Sequence, residues 1–187
     1  MPEILAHWFA AVCGQDPGHT WAPGGILLPC CQRCTGLYVG AGAAALLHLL
    51  LRPRLSGRFL EIHGAFLLLM LPFGFHWVAQ EPVLRTLTGV LFGFGVVTFL
   101  WLPLSQTCRP PARMRLADWL YLLVLGATLL FLPTMAMRGG VVAAYGLSSL
   151  ALCGALALCA LIVGDLILGL VGALRLMRRL ARPPPQR

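Results

Sequence analysis

The sequence predicts an all-α, polytopic helical membrane protein with about five transmembrane helices. Three observations carry this. The 187 residues are 59% hydrophobic and only 11% charged, whereas soluble domains carry about 25% charged residues. The mean hydropathy is +0.84. The apolar residues fall into long runs separated by helix breakers. Intrinsic disorder is excluded because disordered chains are poor in apolar residues.

Each run approaches the roughly 20 residues needed to cross a hydrocarbon core. They cover residues 35–51, 59–79, 83–104, 116–137 and 140–174. Arg52-Pro53-Arg54, Glu81-Pro82, Arg109-Pro110-Pro111 and Arg138-Gly139-Gly140 separate them, as turn chemistry requires. The last run is long enough for two short helices. It contains no Pro and no strong turn dipeptide, so it reads as one helix projecting from the membrane. Residues 1–34 form a segment ahead of the bundle, in which residues 1–12 suit a short amphipathic interfacial helix. Asp16-Pro17-Gly18 and Ala22-Pro23-Gly24-Gly25 read as turns. The segment lacks a charged n-region and a small-residue cleavage site, so it does not read as a signal peptide. Residues 35–180 form the bundle, and residues 181–187 a disordered basic, proline-rich tail.

The charge is arginine's alone: fourteen Arg and no Lys against six acids, giving +8. Eleven of the fourteen lie in three clusters, at 52–58, 109–115 and 175–187. With five spans all three clusters fall on one side, and the positive-inside rule makes that side cytoplasmic. The expected location is the inner (cytoplasmic) membrane, N-terminus outside and C-terminus inside. The partners expected are the lipid bilayer, a larger membrane complex or further copies of the chain. Nucleic acid is not expected, because no RNA-binding motif or aromatic-interleaved basic face is present. Walker A, G-x-S-x-G, H-E-x-x-H and haem C-x-x-C-H signatures are also absent.

Two spans share the pattern T-G-x-x-x-G-x-G, beginning at Thr35 and Thr88. Because two helices separate these starts, both spans run in the same direction. A parallel duplication of a helical hairpin fits this, as does close helix packing through glycines four apart.

Four of the seven cysteines precede residue 35: Cys13, Cys30, Cys31 and Cys34. Cys31-x-x-Cys34 lies at the start of the first span, where the helix dipole favours a thiolate. Arg33 between them adds positive charge. Three outcomes fit: structural disulfides, a redox-active dithiol, or a metal site. In the redox version Cys31 and Cys34 exchange electrons with Cys13 or a partner thiol, and a quinone near Arg85 accepts them. In the metal version Cys13, Cys31 and Cys34, with His19, hold an ion such as zinc. His76, Gln80, Arg33 and Arg85 lie at the same end and are the candidate cofactor-binding residues. Cys153 and Cys159, mid-span, read as small apolar packers.

The segment Cys13-Gly14-Gln15, followed by Leu28-Pro29-Cys30-Cys31-Gln32-Arg33-Cys34-Thr35-Gly36-Leu37-Tyr38-Val39-Gly40, resembles a membrane-protein family known as domain of unknown function 2085. A later block, Leu71-Pro72, Gln80 and Leu84-Arg85-x-Leu87-Thr88-Gly89, is similar too. The resemblance covers about residues 10–95. It implies a multi-helix membrane fold and a polar cluster of Cys13, Cys31, Arg33, Cys34, Gln80 and Arg85, and it brings no activity. Gly14 stands where the family has His, and Phe75-His76 where it has Asp-Gly.

His48, Glu61, His63 and Asp118 lie near the arginine-rich ends, where solvated ion pairing is expected. Asp165 precedes Arg175 by about 15 Å of helix, which puts it near mid-membrane. A small transporter using Asp165, or an accessory subunit stapled by disulfides, are the alternative functions. Trp8, Trp21, Trp77, Trp101 and Trp119 suit interfacial anchors.

Overall fold

A computed structural model describes residues 2–75, 77–108 and 115–180. It is all-helical, and an isolated antiparallel bridge between Thr20 and Cys31 is the one extended pairing among the described residues. The elements are α1 (Pro2–Phe9), two 3₁₀ turns (Pro17–His19 and Pro23–Gly25), α2 (Gln32–Leu50), α3 (Gly57–Gly74), α4 (Pro82–Cys108), α5 (Arg115–Arg138) and α6 (Val141–Leu180). Helices α2 to α6 are each long and apolar enough to cross a membrane. The tail at 181–187, expected to be disordered, lies outside the described residues.

The helix ends follow local chemistry. Ser56 caps α3, its hydroxyl accepting the Phe59 N–H at 3.3 Å. Pro82 occupies the first position of α4, where its missing N–H costs nothing. Gly139-Gly140 separates α5 from α6. The last run is one continuous helix of 40 residues. At 1.5 Å per residue it is about 60 Å long, twice the hydrocarbon thickness. Its final turns carry Arg175, Arg178 and Arg179.

Helix α2 is the hub and packs mainly on α4, then on α6; α3 packs on α4. The shared glycine pattern is the α2–α4 seam. A Cβ on Gly40 would sit 2.7 Å from the Val90 carbonyl oxygen. One on Gly93 would sit 2.8 Å from the Ala41 nitrogen and closer still to the Leu37 carbonyl oxygen. Gly36 meets Thr86, and Gly89 meets Arg33. Contacts advance along both helices together, so α2 and α4 are parallel, as expected when one helix, α3, runs back between them. Close backbone approach at small residues is how helices associate where lipid removes the hydrophobic drive. Gly42 and Gly154 repeat the device between α2 and α6.

The α5-facing part of the core corrects one expectation. His48 and His63 are not solvated at an interface but buried, at 0% and 2% exposure. His63 Nε2 lies 2.8 Å from the Tyr121 hydroxyl, which lies 3.4 Å from Thr98 Oγ1. Thr98 in turn lies 3.1 Å from His48 Nε2. Pairing among themselves lets these groups remain in the core. Trp101 stacks on His48 with ring centroids 5.8 Å apart, and Trp21 donates its indole N–H to Thr86 Oγ1 at 2.9 Å. Both tryptophans therefore turn inward rather than anchoring the interface, whereas Trp8, Trp77 and Trp119 are exposed. Asp118 Oδ1 accepts the Arg54 backbone N–H. Replacing Tyr121 by phenylalanine removes the link between His63 and Thr98. The expected loss is about 1 kcal/mol, typical of one hydrogen bond between membrane helices, read as a lowered Tm in detergent.

Cys153 and Cys159 are exposed on α6 rather than packed inside. Asp165 is half-buried, and its Oδ1 has no partner among the described residues.

Candidate functional site

The site lies at the end of the bundle where the parallel helices α2 and α4 begin. The chain ahead of α2 folds over that end. Helix α1 is shorter than residues 1–12 and is docked by Phe9, whose ring lies 5.1 Å from Tyr38. Ile4 and Trp8 stay exposed. Gln15, held at φ 47°, donates its side-chain amide to the Ala6 carbonyl and, at 2.8 Å, to the Pro29 carbonyl. One side chain thus ties α1 to the loop that carries Cys30 and Cys31. Gly24, at φ 61°, lies so close to Gly140 and Val141 that a Cβ would come within 2.6 Å of the Val141 nitrogen.

This folding brings Cys13 onto the start of α2. Cys31 is the N-cap residue and Cys34 lies in the first turn. The sulfurs of Cys13, Cys31 and Cys34 all lie within 4.8 Å of one another. The Cys31 backbone N–H donates to Cys13 Sγ at 3.3 Å. Hydrogen bonds from the Cys31 and Cys34 thiols, with this backbone N–H, hold the Cys13 thiol well below its ordinary value against the opposing effect of burial. Cys30 is different. It is fully buried beside the Thr35 hydroxyl at 3.4 Å, and burial pushes its thiol up to about 12. Cys13, Cys30, Cys31 and Cys34 are free thiols, so no disulfide staples this segment.

The thiols share a cleft of about 290 Å³ with Arg33, Arg85, Asp16 and His19. Arg33 reaches across to the end of α3. Its Nη2 donates to the Phe73 carbonyl at 3.0 Å and to Gln80 Oε1 at 2.8 Å. The Gln80 amide returns to Phe73 and Val78 carbonyls. A cation at the carbonyl end of a helix is favourable, so Arg33 and Gln80 serve to fix α3 against α2. Arg85 is 8% exposed, and its Nε has no partner. His19 sits on the rim, its Nδ1 2.9 Å from Asp16 Oδ2, which leaves Nε2 uncommitted. It lies outside the group of three mutually close sulfurs. His76 lies outside the described residues.

Gln15 and the Cys13 thiolate environment were not readable as site features from spacing alone. The Cys-Gly-Gln triplet was the single signal for Gln15. With its thiol acidified, Cys13 is expected to react with iodoacetamide at a nearly constant rate between about pH 6 and 8. An ordinary thiol, titrating near 8.5, slows about tenfold per unit over that range. Peptide mapping of alkylated protein reads both rates, and Cys30 stays unlabelled throughout.

No curated protein and no solved structure matches this chain. Residues 13–99 match the profile of the family described as "Predicted membrane protein (DUF2085)". That segment holds the three clustered cysteines, Arg33, Gln80, Arg85 and the α2–α4 seam, and over it the chain is similar to this family of membrane proteins.

Proposed function

We propose that this integral membrane protein holds a thiophilic metal ion, such as zinc, on Cys13, Cys31 and Cys34. The convergence of three sulfurs within 4.8 Å carries the reading. A tetrahedral ion with bonds of about 2.3 Å sets its sulfurs roughly 3.8 Å apart, so only a small contraction is required. A disulfide would use two of the three and leave the third stranded. The acidified Cys13 supports the same reading, because metal ligation requires thiolates. Three protein ligands leave a fourth position open, as in catalytic rather than closed structural sites. His19 is the protein group nearest to that role by its place on the rim. Its pairing with Asp16 is the arrangement that orients a ligating imidazole.

The arginine distribution supports an orientation with this site outside and the arginine-rich ends in the cytoplasm of a cell whose inner membrane the protein spans. A second reading is favoured by the nucleophilic Cys13: two of the thiols become a disulfide while a quinone takes up both electrons and both protons and leaves as the quinol.

Cadmium titration separates the two. The reduced protein is expected to bind one ion per chain, with thiolate-to-cadmium absorbance saturating at that ratio. Absence of that absorbance, together with a Cys31–Cys34 disulfide on adding quinone, would select the redox reading.

A further inference from the structure

The carboxylates around the cleft leave one of its arginines without an ion-pair partner. Arg85 is more than nine-tenths buried and lines the cleft, with its Nε unpartnered. Among the described residues no carboxylate pairs with it. Asp16, the acid in the cleft, already holds His19 and the Gly18 N–H at 2.9 Å each. Arg33 also has a buried, unpartnered Nε, but its Nη2 is committed to Phe73 and Gln80. The same end receives the positive N-termini of both α2 and α4; neither has an acidic residue in its first turn, and the acid beside them, Glu81 just ahead of α4, is exposed. The α2 N-terminus also has no side-chain cap. A buried guanidinium with no directly paired acid is costly, and helix N-termini with arginine are ready anion sites.

We propose that this cleft binds a phosphate-class oxyanion through Arg85, beside the cysteine triad. The planar fork of guanidinium donors matches two oxygens of such a group. A cleft of about 290 Å³ admits it. The same chemistry is offered by a free oxyanion and by a phospholipid headgroup, since α2 and α4 begin where a bilayer's polar layer would lie. The site needs no metal, so its failure and the failure of the metal reading are separate results.

The test is thermal unfolding of metal-free protein in detergent while inorganic phosphate or, separately, a short-chain phosphatidylglycerol is added. Wild type is expected to show a saturable rise in Tm of several degrees with at least one of them. A response to phosphate assigns a free oxyanion, and a response to phosphatidylglycerol alone assigns the headgroup. Arg85→Gln is expected to lose the response, and Arg85→Lys, which keeps charge without the fork, to weaken it. A readout on wild type avoids dependence on variant folding: whichever ligand raises Tm should slow phenylglyoxal modification of Arg85 at least several-fold. No rise with either ligand, an undiminished rise in Arg85→Gln, or unprotected Arg85 would overturn the proposal.

Discussion

Replacing Cys13 by serine is expected to abolish stoichiometric uptake of cadmium or zinc. Cys13 is the one member of the triad that comes from outside α2, so its loss leaves two sulfurs on a single helix start. Removing even an outer-shell partner of a metal ligand typically weakens binding 10- to 100-fold. Loss of one of three direct ligands should therefore exceed about 100-fold. Cys31→Ser and Cys34→Ser should behave alike. Cys30→Ser is the informative control, since Cys30 adjoins Cys31 in sequence but turns to Thr35. It should bind one ion per chain as wild type does. Equal loss in Cys30→Ser and Cys13→Ser would show that the ion sits on a different sulfur set.

Gly93→Val is expected to prevent folding rather than merely lower stability. The added Cβ would meet the Leu37 carbonyl and the Ala41 nitrogen, both backbone atoms of α2, and neither can swing aside as a side chain would. Overpacking commonly costs 1–3 kcal/mol where side chains give way. Here two helices must separate along their whole seam, so a cost above about 3 kcal/mol is expected. Gly40→Val should act similarly through the Val90 carbonyl. Gly126→Ala and Gly146→Ala face open space and should leave Tm unchanged or slightly raised, since alanine favours helix. Size-exclusion elution and Tm in detergent read all four variants.

These two variants probe features of unequal legibility. The five spans could be read because breakers such as Glu81-Pro82 and Gly139-Gly140 stand between runs of near-membrane length. The glycine echo could be read too, but that the two spans meet at those glycines is visible only in the fold. Burial of His48 and His63 could not. Both lie near arginine clusters, and only the three-dimensional arrival of Thr98 and Tyr121 gives each ring a side-chain partner at Nε2 away from water. Spacing placed Cys31 and Cys34 together, but Cys13 is joined to them by a loop whose path depends on Gln15 at positive φ and on the Thr20–Cys31 bridge. Such long-range closure leaves no periodic trace. The pairing of Arg33 with Gln80 likewise spans 47 positions and rests on α3 ending at Gly74.

The most direct measurement is X-ray absorption at the zinc edge of the reduced, full-length protein after one equivalent of zinc. The account predicts a first shell of three sulfurs at about 2.3 Å, completed by one nitrogen or oxygen. A shell of nitrogen and oxygen alone, or zinc that washes away while Cys13, Cys31 and Cys34 remain alkylatable, would contradict it.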